Sequence, residues 1–99
     1  MKERPPVKVQ HVAERSRVEA RADDDRVMGF SQYVVRDGAY VFFHTEVGSA
    51  FEGQGVGGRI AAGVMDFVRD SGTTIVPQCP FIAAYVRRHP EFQDLVAPA

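Results

Sequence analysis

Charged and apolar residues alternate at period 2 along Arg17-Val18-Glu19-Ala20-Arg21-Ala22, which predicts a half-buried strand. Asp23-Asp24-Asp25 follows as a turn, and a second strand is predicted from Val27 to Arg36, carrying Phe30, Tyr33, Val34 and Val35. Asp37-Gly38 is a strong two-residue hairpin signal that sends the chain straight back. The return segment, Ala39-Tyr40-Val41-Phe42-Phe43-His44-Thr45-Glu46-Val47, is apolar at successive positions in its middle. A strand buried on both faces has this pattern, so a central strand is predicted and the three runs form an antiparallel meander.

The period changes after Val47. Five of the nine glycines fall in Gly48–Gly58, too many for the interior of a helix or strand, so this stretch reads as a special loop. From Arg59 the pattern is helical, with Ile60, Val64, Phe67 and Val68 on one face and Asp66, Arg69 and Asp70 largely on the other. Ser71-Gly72 ends that helix, since glycine tolerates the left-handed terminal position. Thr73-Thr74-Ile75-Val76 predicts a short buried strand. Pro77 to Pro80 then closes it and opens a second helix, with Ile82, Tyr85 and Val86 inward and Arg87 and Arg88 outward. His89-Pro90 ends this helix. The charged start with Pro5-Pro6 predicts a flexible segment over 1–6, ahead of one domain over 7–96.

Composition narrows the function. The 12 Lys+Arg against 13 Asp+Glu lack the basic excess of a dedicated nucleic-acid binder, which argues against sequence-specific DNA as a partner. No stretch approaches the ~18 apolar residues of a membrane span, and Met1–Pro6 holds no apolar segment of a secretory signal, so a cytoplasmic location is expected. The single cysteine, Cys79, forms neither an internal disulfide nor a cysteine-rich metal site, and no metal is expected.

A strand feeding a glycine-rich turn that opens a helix is a device for binding phosphates. The first N–H groups of the helix are unpaired, and the helix dipole favours negative charge there. A P-loop needs Gly-Lys-Ser/Thr at its end, but Gly57-Gly58 leads into Arg59-Ile60. Gly53-x-Gly55-x-x-Gly58 satisfies the dinucleotide fingerprint literally. The acidic ribose ligand expected about 20 residues on is missing, however, and the 41 residues after Gly58 (99 − 58) cannot complete a doubly wound sheet.

Glu52-Gly53-Gln54-Gly55-Val56-Gly57 after an apolar strand, then helix, strand and helix, resembles the acyl-CoA-binding core of the GNAT superfamily of N-acetyltransferases. More narrowly, four segments in order resemble the minimal GNAT-like acetyltransferases: His44-Thr45-Glu46-Val47, Gly53–Gly57, Pro77-Gln78-Cys79-Pro80-Phe81 and Tyr85–Phe92. The match covers Ala39 to Val96. It implies an α/β (α+β) fold, a mixed sheet in which the meander precedes a β-loop-α-β-α acyl-CoA-binding core.

The same resemblance implies an acetyl-CoA-dependent N-acetyltransferase acting on a primary amine, either a protein lysine or a small molecule. A non-catalytic CoA-binding sensor or interaction module stands as the alternative. Backbone N–H groups of Gly53, Gln54, Gly55, Val56, Gly57 and Gly58 are expected to cradle the CoA pyrophosphate, while the main chain of Glu46 and Val47 pairs with the pantetheine arm. Arg59 adds charge near the phosphates, and Arg87, Arg88 or His89 approaches the ribose 3′-phosphate, unless these are simply the solvated face of a helix. The superfamily usually places Gln or Arg at Glu52. A carboxylate there must turn to solvent, so phosphate binding rests on backbone amides.

Acetyl transfer needs a neutral amine, stabilisation of a developing oxyanion and a proton for the departing thiolate. Tyr85 sits where many GNAT enzymes place a tyrosine acid near the CoA sulfur; the other reading is an inward core aromatic. Cys79, at a helix start that favours thiolate, is a second candidate for acetyl acceptor or proton donor, against the reading of a small buried hydrophobe. His44 and Glu46 share one face of their strand, so either can relay the amine proton through water, while a core histidine is the alternative for His44. So short a chain predicts an exposed acetyl group and a poorly enclosed acceptor site.

Overall fold

The computed structural model describes residues 7–98. The expected flexible segment 1–6 lies outside the described residues. Five strands form one sheet in sequential order: β1 (Lys8–Val12), β2 (Arg17–Arg21), β3 (Val27–Arg36), β4 (Ala39–Val47) and β5 (Thr74–Pro77). Neighbours are antiparallel through β4, and β4 pairs with β5 in parallel. Helix α1 (Val56–Ser71) crosses between β4 and β5, and α2 (Pro80–Arg88) follows β5. A 3-10 segment, Pro90–Leu95, brings the chain back so that Val96 bridges Ile75. The fold is a mixed α/β sheet with the meander ahead of the strand-loop-helix-strand-helix unit.

The predicted meander gains one strand. β1 pairs with β2 across the short turn Ala13–Arg15, where Ser16 adopts a left-handed conformation (φ 52°). The segment shows weak patterning because only Val12 is buried. Val9 nonetheless packs so closely on α1 that a Cβ on Gly63 would lie 2.2 Å from its Cγ1.

Helix α1 lies along one face of the sheet and buries Val56, Ile60, Ala61, Val64, Met65 and Val68. These meet Val18, Ala20, Met28, Tyr33, Phe42 and Ile75, with Ile82 and Val86 of α2, in a single core. Burial of each large side chain contributes about 1.5–3 kcal/mol. Among the described residues no helix covers the opposite face of the sheet over Phe30, Gln32, His44 and Glu46, which pair across β3 and β4 in register. On that face Glu19 is fully buried between Arg17 (2.6 Å) and Arg21 (2.7 Å), and the Arg17 guanidinium lies 4.3 Å from the Phe30 ring centre.

Candidate acyl-CoA site

The site is built where β4 and β5 part. They pair only over Ala39–Phe42 against Thr74–Pro77, with one further bond from the Cys79 backbone N–H to the Phe42 carbonyl at 2.9 Å. Opposite β3 the register steps from Tyr33↔Phe42 to Gln32↔His44, leaving Phe43 as an unmatched extra residue. Such a bulge bends and twists its strand. Beyond it, His44–Val47 pairs with β3 on one edge, while on the other edge Phe43–Val47 has no strand beside it among the described residues. At about 3.3 Å per residue, this is roughly 16 Å of open edge.

Two helix N-termini lie beside this opening, that of α2 through the bond from its N-cap Cys79 to Phe42 and that of α1 through the contact of Gly57 with Phe81. Helix α1 starts at Val56, earlier than the Arg59 that periodicity predicts, so Gly57 and Gly58 lie in its first turn. Its N-cap is Gly55 (φ 78°), with no side-chain cap and no acidic residue in the first turn. Gly53 (φ 80°) and Gly55 both need the left-handed conformation that glycine adopts without strain. A Cβ on Gly57 would lie 2.9 Å from Phe81 Cζ, so the glycine admits the Phe81 ring and brings the first turns of α1 and α2 together. Gly58 differs: its φ is not positive, and a Cβ there would meet no described atom within 4 Å beyond its chain neighbours and the backbone of its own helix turns. Nothing among the described residues requires a glycine at that position. Glu52 is exposed.

Cys79 is the N-cap residue of α2 and is buried, 5% exposed. Its Sγ lies 3.4 Å from Thr45 Oγ1, and Thr45 Oγ1 lies 2.9 Å from Ser31 Oγ. Thr45 stands on the stretch of β4 that pairs with β3 but lies beyond the reach of β5, and Ser31, its partner in register, is fully buried. Ser31 carries no sequence signal, and Thr45, although it lies within the His44–Val47 segment of the resemblance, has no feature there that singles out its hydroxyl. Phe81, half exposed against Gly57, is a third residue that the sequence does not single out as functional.

His44 and Glu46 do share a face, with His44 Nε2 3.3 Å from Glu46 Oε1. Their side chains are 52% and 60% exposed on the helix-free side, so His44 is not a core histidine. Tyr85 is not brought to Cys79. It lies six positions further along α2, about 9 Å down the axis at 1.5 Å per residue, stacked on His89 at 3.9 Å. Burial raises its pKa first, and the charges of Glu91 and Asp66 add to this. His89 ends α2, its Nδ1 2.8 Å from the Tyr85 carbonyl. Arg87 and Arg88 are exposed, and an Arg59 guanidinium nitrogen lies 3.3 Å from the Val7 carbonyl.

Two cavities open elsewhere on the sheet. One of about 320 Å³ lies between β1 and α1, lined by His11, Asp66, Phe67 and Asp70 among others. The second, about 340 Å³, has Ala39, Val41, Thr74 and Val76 as its floor. No group of metal-ligating side chains occurs among the described residues, and no described helix is long and apolar enough to cross a membrane.

Residues 17–95 match the profile of the GCN5-related N-acetyl-transferase family, and the chain belongs to that family. The fold is similar to the solution NMR structure of a GCN5-like candidate N-acetyltransferase from Staphylococcus aureus. That match has a TM-score of 0.66 and 20% identity, and covers 99% of this chain and 93% of the other. Among curated proteins, no match is found.

Proposed function

We propose that the protein transfers an acetyl group from acetyl-CoA to a primary amine. The observation that carries this reading is the open edge of Phe43–Val47 beside an uncapped helix N-terminus whose Gly58 nothing among the described residues requires to be glycine. A strand edge offers N–H and C=O groups to an amide-bearing arm, and an uncapped first turn offers donors to phosphates. Glu46 and Val47 hold the pantetheine by main-chain bonds, and the amides of Gly53–Gly58 hold the pyrophosphate. Arg59 and Arg88 contribute charge around the anion. His89 is engaged as the end of α2 and contributes less.

Acetyl-CoA supplies an activated acyl group, and the chain positions it and handles protons. The acceptor amine approaches the helix-free face, where His44, backed by Glu46, takes the proton that the nitrogen loses. Cys79 Sγ lies at the parting of β4 and β5 and gives a proton to the departing sulfur. Tyr85, locked in its stack, serves packing. The exposure of His44 and Glu46 fits an acceptor that brings its own surface, such as a lysine on a protein.

Titration with acetyl-CoA and with CoA, followed by thermal shift, tests binding, with stabilisation expected for both. Incubation with acetyl-CoA and a panel of amines, following release of free CoA thiol, tests transfer. His44→Ala and Cys79→Ala are expected to lower turnover with little effect on affinity. A chain that binds but releases no thiol above background is a CoA-binding module and the transferase reading falls; no stabilisation at millimolar ligand removes both.

A further inference from the structure

We propose that Thr45 is the positioning residue for the Cys79 thiol, with Ser31 holding Thr45 in place. The inference rests on the acetyl-transfer reading for its use, but its geometry stands independently. Three residues distant in sequence converge: Ser31 on β3, its register partner Thr45 on the part of β4 beyond the reach of β5, and Cys79 just after β5. Cys79 is held twice at the parting of the strands, by its N–H to the Phe42 carbonyl and by its side chain to Thr45.

The donor inventory explains why two hydroxyls are needed. A hydroxyl has one donor and two acceptor sites, and a thiol is a weak donor. With the S–H intact, Cys79 donates to Thr45 Oγ1. Once Cys79 has given up its proton, Sγ carries negative charge in a site nearly closed to water. The Thr45 O–H then turns to donate to Sγ, while the Ser31 O–H donates to Thr45 Oγ1. No proton leaves the hydroxyl pair in this exchange. The proton lost by Cys79 passes to the departing sulfur, and solvent later restores it, balancing the proton His44 takes from the amine. Threonine suits the task because its branched β-carbon restricts χ1 and fixes where Oγ1 points.

Four variants test this: Thr45→Val, which keeps shape and removes the hydroxyl, Thr45→Ser, Ser31→Ala and Cys79→Ala. The chain has one cysteine, so iodoacetamide alkylation followed by intact mass reports on Cys79 alone, without ligand or activity. Thr45→Val is expected to slow both alkylation and turnover about three- to tenfold, as loss of one hydrogen bond implies, with unchanged affinity for acetyl-CoA. Thr45→Ser restores most of the loss. Ser31→Ala gives a smaller loss that vanishes in the Thr45→Val background, and in the Cys79→Ala background Thr45→Val has no further effect on turnover. Wild-type alkylation in Thr45→Val, or a Thr45→Ser as impaired as Thr45→Val, overturns the assignment. Should Thr45→Val fail to fold by circular dichroism, an unimpaired Ser31→Ala or an impaired Thr45→Ser overturns it equally. A wild-type protein that transfers no acetyl group removes the enzyme reading, while the alkylation series still decides the role of Thr45.

Discussion

On the proposed function, Gly58 is the residue at which folding and binding pull in opposite directions. In the first turn of α1 a glycine costs about 0.5–1 kcal/mol relative to alanine, and the added methyl would meet open space. Gly58→Ala is therefore expected to stabilise the ligand-free protein by that amount in urea unfolding. The same methyl blocks close approach to the first-turn amides, so affinity for acetyl-CoA is expected to fall at least about tenfold, or ~1.4 kcal/mol, by calorimetry. An alanine variant that is both more stable and equally tight in binding rules out this turn as the phosphate cradle. Gly57→Ala separates the two kinds of glycine. Its methyl must displace Phe81, so it is expected to destabilise the free protein.

At the scale of elements, the sequence was informative where pattern and packing agree. β2, β3 and β4 were legible because β-branched and aromatic residues alternate around an Asp-Gly turn, and α1 because its apolar stripe has a clear helical period. Two elements were hidden for physical reasons. The start of α1 contains Gly57-Gly58, which propensity disfavours and the Phe81 contact supports; β1 is a polar edge segment tied down by a glycine on another element. The glycine loop of the candidate site was legible through glycine density. The Ser31–Thr45–Cys79 chain was not, because it exists only once β3, β4 and the end of β5 are adjacent.

The β1–α1 contact makes a direct prediction. Gly63→Ala places a methyl inside van der Waals distance of Val9, an overpacking expected to cost about 1–3 kcal/mol in denaturant unfolding. Adding Val9→Ala to the same chain is expected to return part of that loss. Glu19 makes a second one. Burial pushes its carboxyl pKa up, but hydrogen bonds and charge from Arg21 and Arg17 outweigh this and leave it below the usual glutamate value. Because the folded value lies below the unfolded one, the pairing stabilises fully above about pH 4.3 and fades as pH falls through the folded value. Glu19→Gln is thus expected to cost about 1.5–3 kcal/mol at pH 7 and progressively less under strong acid, where wild-type Glu19 is also neutral. A deficit that stays constant with pH would mean the carboxylate charge contributes nothing.

For the whole molecule, the sheet is asymmetric: one face is covered by the helices, and the other carries His44, Glu46 and Phe30 without one. The opening between β4 and β5 connects the side of the glycine loop to that uncovered face, and on the proposed function donor and acceptor reach the same point from opposite sides. Binding of acetyl-CoA to the folded state alone adds RT ln(1 + [L]/Kd), about 2.7 kcal/mol at a hundredfold excess over Kd. For a domain of this size that raises Tm by roughly 10–20 °C. Where the protection appears is more telling than how much. Amide hydrogen exchange is expected to slow over Phe43–Val47 and Gly53–Gly58, where edge and first-turn donors gain partners, and to change little over Val9–Arg21. Protection spread evenly over the chain would show global stabilisation without this docking mode. Protection at the glycine loop alone would place the phosphates but leave β4 free of the pantetheine arm, and the acetyl group would then lie elsewhere than beside Cys79.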